Sequence, residues 1–347
     1  MTTHEFFMYR ALQLAKNGLG TTYPNPLVGS VIVHDGKIIG EGWHKKAGEP
    51  HAEVNAVNSV KDKSLLKEAT IYVTLEPCSH FGKTPPCCDL IIANDIPNVV
   101  VGTIDPFAKV AGTGIQKLKD SGKNVIVGIL VNECQELNKR FFTYHQKKRP
   151  YIILKWAESK DGFIAPLKKD INRPVWITNQ YSRQLVHKWR TQEQAILVGT
   201  QTVLDDNPIL DARDFFGNNP IRIAIDKSNK ITECSNIKNG KQNTIIFSDN
   251  IFLTKNIKYS HKKTIFDTHF LKNLALELYQ ENIQSIIIEG GKKTLDSFIH
   301  ENLFDEVRIF KGNVYLQNGI KAPEFKVQNC ESFYIMEDEL KIFRNYD

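Results

Sequence analysis

The run His51-Ala52-Glu53, followed by Pro77-Cys78 and then by Cys87, narrows what this chain can fold into more than any other feature. One imidazole and two thiols form a mixed donor set that favours zinc over magnesium or calcium, and they can share an ion only if the fold brings three separate segments to one point. A closed structural site takes four protein ligands, whereas a catalytic site keeps one position for water, which the metal acidifies. Glu53 stands two residues beyond His51, out of easy reach of the same ion if both lie on one helical turn, and so is free to carry protons. Taken singly, each residue has a plainer reading: helix-start residues for His51 and Glu53, buried thiols for Cys78, Cys87 and Cys88. A structural zinc site also stays open, with Cys88, His80 and His44 as possible fourth ligands.

The order HxE…PC…C, with the strand-like run from Ala69 to Leu75 leading into it, resembles the zinc deaminases. Their glutamate takes a proton from the attacking water and returns it to the departing ammonia. Polynucleotide and nucleoside deaminases usually carry two residues between the cysteines, but here the longer segment from Ser79 to Pro86 intervenes. Its pattern, PCxHxGxTPPC, and the upstream run from Thr22 to Gly29, similar to TxPNPxVG, resemble the bifunctional riboflavin-biosynthesis deaminase/reductase family. In the second half, the run from Lys155 to Gly162 is similar to that family's KxAxSLDG, with Lys160 where leucine is usual. Trp176-Ile177-Thr178, the run from Thr202 to Pro208, and Glu289-Gly290-Gly291 follow in the family's order. No GxGxxG follows the first strand of this half, which disfavours an ordinary Rossmann dehydrogenase.

The resemblance implies an N-terminal cytidine-deaminase-like three-layer α/β/α domain over 1–146 and a C-terminal dihydrofolate-reductase-like α/β domain over 147–347. It implies Zn2+ held by His51, Cys78 and Cys87, Glu53 as the catalytic proton carrier, and Lys83 on the substrate phosphate. In the reductase it implies NADPH contacts from Ala157, Trp176, Thr202, Asp206 and Gly291, and substrate contacts from Arg190, Leu210, Arg213 and Glu289. Lys155 and Glu289 are the nearest candidates for polarising or protonating the reduced centre. Asn25, stiffened between two prolines, has an amide able to read a pyrimidine edge, although a turn-forming asparagine is the plainer alternative. Arg190 could equally complement a helix C-terminus, and Leu210 could be core. Phe107 and Ala108 replace the family's Asn-Pro pair, Pro174 stands where a substrate-binding serine is common, and Lys227 replaces a serine near the cofactor, where it is able to pair with a 2′-phosphate.

The implied activity is hydrolytic deamination of 2,5-diamino-6-ribosylamino-4(3H)-pyrimidinone 5′-phosphate, then NADPH-dependent reduction of ribosyl to ribityl, by a homo-oligomer. A nucleic-acid deaminase, a deaminase whose reductase half is inactive, and a non-catalytic zinc module are the competing readings. With 347 residues, 41% hydrophobic and 24% charged, two cored domains are expected. The net charge of +6 is scattered rather than striped with aromatics, so a nucleic-acid partner is not expected, and runs such as Lys147-Lys148-Arg149 read as solvated. No apolar run reaches membrane-spanning length and no signal-like start is present, so no membrane association and a cytoplasmic location are the expectations. Periodicity predicts a helix over 5–17, a hairpin turning at Asp35-Gly36, helices opening near His51 and Cys87, and strands over 69–75 and 98–104. A helix-poor run from His145 to Pro150 marks the boundary. Apolar strands at 152–156, 195–198, 221–225, 244–247 and 285–288 predict a largely parallel sheet, closed by a hairpin over 333–343.

Overall fold

The computed structural model describes residues 1–81, 85–107, 111–168, 174–250, 259–326 and 330–345. The chain divides into two compact units, Met1–Lys148 and Arg149–Asp347. In the first, α1 (Thr3–Ala15) opens on a capping box in which Thr2 and Glu5 satisfy each other's backbone N–H groups. The hairpin of β1 (Gly29–His34) and β2 (Lys37–Trp43) turns at Asp35 and Gly36, both at positive φ, 46° and 70°, as a two-residue turn matching strand twist requires. Then come α2 (Ala52–Ser59), β3 (Thr70–Leu75), α3 (Cys87–Ala93), β4 (Asn98–Thr103), α4 (Thr113–Asp120), β5 (Asn124–Val127), α5 (Val131–Leu137) and α6 (Lys139–Lys147). The sheet order is β2-β1-β3-β4-β5, with β3, β4 and β5 mutually parallel.

Alternation along the strands divides the core into two faces. Ile32, Ile71, Val73, Val99 and Val101 pack with α2, α3 and α4; Val31, Val33, Tyr72 and Val100 pack with α1 and α5. The result is the expected three-layer arrangement. Helix α2 lies hard against β2, because a Cβ on Gly42 would come within 2.4 Å of the Ala56 nitrogen. That contact sets where His51, at the start of α2, must stand. One expectation fails: His145, Gln146 and Lys147 belong to α6 rather than to a helix-poor run. Phe141 and Tyr144 are buried and the His145 ring packs on Phe141, 4.3 Å between centroids, so an apolar stripe carries the helix through a segment whose charges lie on its other face.

The second unit begins with β6 (Tyr151–Glu158) and β7 (Phe163–Ala165), then α7 (Gln180–Gln192), β8 (Ala195–Gly199), α8 (Thr200–Asp206), β9 (Ile221–Ile225), β10 (Thr244–Ser248) and β11 (Tyr259–Lys263). Helix α9 (Phe270–Gln280), β12 (Ser285–Ile288), α10 (Lys292–His300), β13 (Glu306–Lys311), β14 (Ile320–Lys321), β15 (Cys330–Ile335) and β16 (Asp338–Arg344) complete it. Nine strands form one sheet in the order β11-β10-β9-β8-β12-β6-β13-β16-β15. The first seven are parallel and the closing hairpin is antiparallel. Helices α9 and α10 cover one face, α7 and α8 the other, which explains why the central strands are apolar on both sides.

The start of β6 is tied down by charge. Arg149 donates from both terminal nitrogens to Asp305, at 2.6 and 2.8 Å, and Asp305 also accepts from the Ile152 backbone at 2.8 Å. Asp305 is 6% exposed. Asp305→Ala strands the guanidinium and orphans that N–H, and is expected to destabilise the second unit by about 3 kcal/mol. Urea unfolding followed by Trp fluorescence checks it; an unchanged midpoint would show the pair to be a surface ornament.

Candidate active sites

Two helix starts and one strand end meet in the first unit. His51 is the N-cap of α2, Cys87 the first residue of α3, and Cys78 follows the end of β3. Their donor atoms lie within 4.8 Å of one another, and among the described residues this is the one His/Cys/Asp/Glu cluster suited to a metal. His51 Nδ1 is 3.3 Å from Cys87 Sγ and 3.6 Å from Cys78 Sγ. Zinc bonded at ordinary lengths and a tetrahedral angle would hold nitrogen and sulfur about 3.6 Å apart, so the set fits zinc. Charge points the same way. The Cys87 N–H donates to Cys78 Sγ at 3.3 Å, and hydrogen bonding from Cys87 and His51 overcomes burial to bring the Cys78 thiol down to about 4. Once that thiolate exists, it, burial and Glu53 push the Cys87 thiol up, so a second thiolate needs a cation.

Of the alternative fourth ligands, Cys88 and His44 are engaged elsewhere and none of the three belongs to the cluster. Cys88 Sγ donates to the Pro77 and Gly114 carbonyls, and His80 is exposed. His44, 3% exposed, has Nδ1 at 3.2 Å from the Pro50 carbonyl and Nε2 at 3.0 Å from Asn25 Nδ2. Burial lowers its pKa, which favours the neutral ring. A carbonyl only accepts, so Nδ1 donates, Nε2 accepts from Asn25, and the Asn25 amide oxygen is left for a ligand. The His44 ring packs edge-on against His51, 5.4 Å between centroids, which brings the Asn25 amide towards the metal cluster while the Asn25 backbone N–H closes a turn onto the Thr22 carbonyl at 2.7 Å. Glu53 is 3% exposed, and burial raises its pKa. Lys83 lies outside the described residues, as does Ala108.

A carboxylate the sequence reading passed over is central here. Glu76, at the end of β3, accepts four backbone N–H groups, from Asp105, Gly112, Gly114 and Ile115. Its only sequence signal was an acidic residue, immediately before Pro77-Cys78, closing an otherwise apolar strand.

In the second unit, a cleft of about 1570 Å³ opens towards the carboxyl ends of β6, β8, β9 and β12. A single drug-sized ligand occupies roughly 300–1,000 Å³, so this cleft has room for cofactor and substrate together. Lys155, Ala157, Trp176, Arg190, Thr202, Asp206, Leu210, Arg213, Lys227, Glu289 and Gly291 all line it. At its floor, Glu289 accepts from Arg190 Nε at 3.0 Å and Nη2 at 2.7 Å, with Lys155 Nζ at 3.8 Å. Burial opposes the charge, yet Arg190 and Lys155 hold the Glu289 carboxyl down at about 2. Burial likewise lowers Lys155. Arg190 therefore does not serve the carbonyls at the end of α7. It also donates to the Asp211 carbonyl at 2.9 Å, fastening the segment that bears Leu210 and Arg213. His187, unremarked in the sequence, faces Asp214 of that segment at 3.2 Å.

The cofactor-side residues are placed by backbone. Gly291 is the N-cap of α10, where a Cβ would lie 3.0 Å from Thr202 Oγ1, and the Gly290 carbonyl accepts from Gly199 at 2.9 Å. A bare helix start beside glycine suits a pyrophosphate, so the cleft fits NADPH. Arg183 covers the Trp176 ring at 4.7 Å, and Lys227 Nζ stands 5.6 Å from the Phe266 ring. Leu210, buried at φ 58°, is both core and lining. Pro174 is exposed at the cleft, whereas Lys160 is outside the lining with Nζ over Tyr315.

Residues 1–103 match the family model of the cytidine and deoxycytidylate deaminase zinc-binding region, and residues 150–316 that of the RibD C-terminal domain. The riboflavin biosynthesis protein RibD of Aquifex aeolicus is 40% identical over 329 residues, covering 94% of this chain and 91% of its own. That of Escherichia coli is 38% identical over 323 residues, covering 88% and 86%. The crystal structure of a Thermotoga maritima diaminohydroxyphosphoribosylaminopyrimidine deaminase/5-amino-6-(5-phosphoribosylamino)uracil reductase is 37% identical and superposes with a TM-score of 0.89 over 99% of this chain and 98% of that one. Acinetobacter baumannii RibD, 30% identical, gives 0.86 over 99% of each. With a His/Cys/Cys site that fits zinc and a cleft that fits NADPH, the chain belongs to the RibD family of riboflavin-biosynthesis proteins, bifunctional enzymes with zinc-dependent deaminase and NADPH-dependent reductase activities.

Proposed function

We propose that the first unit deaminates 2,5-diamino-6-ribosylamino-4(3H)-pyrimidinone 5′-phosphate and that the second reduces the ribosyl group of the product to ribityl. The observation that carries this is a three-donor cluster with tetrahedral-edge separations beside a buried, unligated carboxylate. His51, Cys78 and Cys87 would hold zinc, which supplies a Lewis acid that acidifies water. Glu53 would take a proton from the attacking water at its carboxylate and deliver it to the leaving amino nitrogen as the C2–N bond breaks. Asn25, its amide oriented by His44, would accept from a ring or amino N–H, and Lys83 would pair with the 5′-phosphate.

In the second unit the cleft would hold NADPH, which when bound would be the hydride source for reduction at C1′ of the ring-opened imine. Ala157, Trp176, Thr202, Asp206 and Gly291 would bind the cofactor, with Lys227 beside its 2′-phosphate; Arg190, Leu210, Arg213 and Glu289 would bind the substrate. Arg190 and Lys155 hold the Glu289 carboxyl down and Arg190 occupies both its oxygens, which favours Lys155 as the proton donor to the imine nitrogen, with Glu289 orienting it from 3.8 Å. The deaminase is assigned to 1–146 and the reductase to 147–347, the boundary expected from sequence lying near the end of α6. A homo-oligomer in the cytoplasm completes the reading; the exposed Phe333 and Tyr334 on the edge strand β15 support self-association through the second unit. No described helix is long and apolar enough to cross a membrane.

Mass-resolved product analysis with the diaminopyrimidine phosphate is the direct test. Deaminated product without NADPH, and deaminated, reduced product with it, are expected. Deamination alone would remove the reductase assignment, and no turnover would leave a non-catalytic zinc module. Glu53→Gln is expected to cut ammonia release by about 10²–10⁴-fold with zinc content and reduction of the deaminated intermediate unchanged.

The ion cluster predicts a pH response. The Glu289 pKa is depressed on folding, so its stabilising contribution is complete above the ordinary glutamate value of about 4.3 and is lost as the pH falls towards about 2. Glu289→Gln is expected to flatten that part of the acid stability profile and to lower reduction but not deamination. Urea midpoints of wild type and variant across this window check it; parallel profiles would mean the carboxylate carries no such linkage.

A further inference from the structure

We infer that Glu76 is a positioning residue for deamination, holding the two cysteine-bearing segments in register by anchoring the start of α4 against them. The inference rests on the reading of His51, Cys78 and Cys87 as zinc ligands. Glu76 is 4% exposed and its own N–H continues the sheet by donating to the Thr103 carbonyl at 2.9 Å. Its side chain turns away from the strand. Oε1 accepts from Gly114 at 2.9 Å and Ile115 at 3.3 Å, and Oε2 accepts from Gly112 at 2.9 Å and Asp105 at 3.3 Å. The α4 N-cap is Gly112, at φ 79°, which has no side chain to satisfy the first-turn donors; the Glu76 carboxylate fills that role from another element.

The start of α4 in turn touches both thiol segments. A Cβ on Gly114 would come within 2.1 Å of the Pro77 carbonyl and 3.2 Å of Cys88 Sγ. Cys88 donates from Sγ to the Pro77 carbonyl at 3.3 Å and to the Gly114 carbonyl at 3.5 Å, and Ser79 Oγ is 2.7 Å from Thr113 Oγ1. Pro77 and Ser79 flank Cys78, and Cys88 is next to Cys87. One carboxylate thus fixes a helix end that contacts a chain neighbour of each cysteine ligand, while the fourth N–H, from Asp105, ties in the segment after β4. Glutamine at this position would offer an amide NH2 to N–H groups that need an acceptor, so at least one side of the anchor is lost.

The test compares zinc-loaded full-length wild type, Glu76→Gln and Glu76→Asp by three readouts: the rate of zinc release to a chromogenic chelator, deamination kcat per bound zinc, and NADPH-dependent reduction of the deaminated intermediate as a control within the same chain. Groups that orient metal ligands change affinity or activity by about 10–100-fold when removed, and Glu76→Gln is expected to release zinc faster and turn over more slowly within that range, with Glu76→Asp intermediate and reduction unchanged. A lowered melting temperature with zinc release and per-zinc kcat within twofold of wild type would overturn the inference, leaving Glu76 a purely structural cap. Should Glu76→Gln fail to fold, the same two readouts on Glu76→Asp decide. Wild type without zinc or deamination would instead sink the ligand assignment itself.

Discussion

Strand direction is the constraint on which both sites depend. In each unit the parallel strands run the same way, so the loops leaving their carboxyl ends gather on one side, where helix starts also present unpaired N–H groups. In the first unit β3 delivers Glu76 and Cys78 to that side and α3 begins there with Cys87. In the second, β8, β9 and β12 deliver Thr202, Lys227 and Glu289-Gly290-Gly291. A slip of one residue in any of these strands would exchange the side chains that its two buried faces present to the helix layers and carry the functional side chain to the wrong layer, so packing of the core and placement of the chemistry are one requirement.

The two sites meet the cost of buried charge by different routes. The reductase cleft balances Glu289 with two cations from its own chain, Arg190 through two hydrogen bonds and Lys155 through a longer contact. That cluster is complete in the protein alone, and removing one partner leaves the others uncompensated. The deaminase cluster is not self-balanced. A thiolate on Cys78, a second thiol beside it and the buried Glu53 carboxyl all oppose further ionisation, and the divalent ion is the group that relieves them. Metal binding there is coupled to deprotonation, whereas in the reductase cleft Arg190 already pairs with Glu289 through two hydrogen bonds within the chain.

What could be read in advance follows from the range of each signal. Local patterns were legible: Asp35-Gly36 needs two positive φ values and takes them, and the spacing of His51, Glu53, Cys78 and Cys87 places three donors and one carboxylate as the cluster has them. Apolar runs such as Ile286 to Ile288 located strands buried on both faces. Signals that depend on partners distant in sequence were not legible. Arg190 looks like a helix-end cation until Glu289, just past the end of β12, is brought to it. His44 looks like a spare zinc ligand until its two nitrogens are seen engaged by Pro50 and Asn25. The helix break expected over 145–150 comes only after Lys147, because the apolar stripe of Phe141 and Tyr144 carries α6 through the first three residues of that run.

The three departures from the family pattern in the reductase half bear unequally on its chemistry. Lys160 projects over Tyr315, outside the cleft, and so cannot disturb a ligand within it. Pro174 lines the cleft without a side-chain hydroxyl or a backbone N–H, which leaves its backbone carbonyl as the one polar group at that position. Lys227 changes the character of its position most: a short hydroxyl can share one hydrogen bond, but an ammonium held near the Phe266 face attracts a dianion at longer range and in several orientations. None of the three touches the Arg190–Glu289–Lys155 cluster.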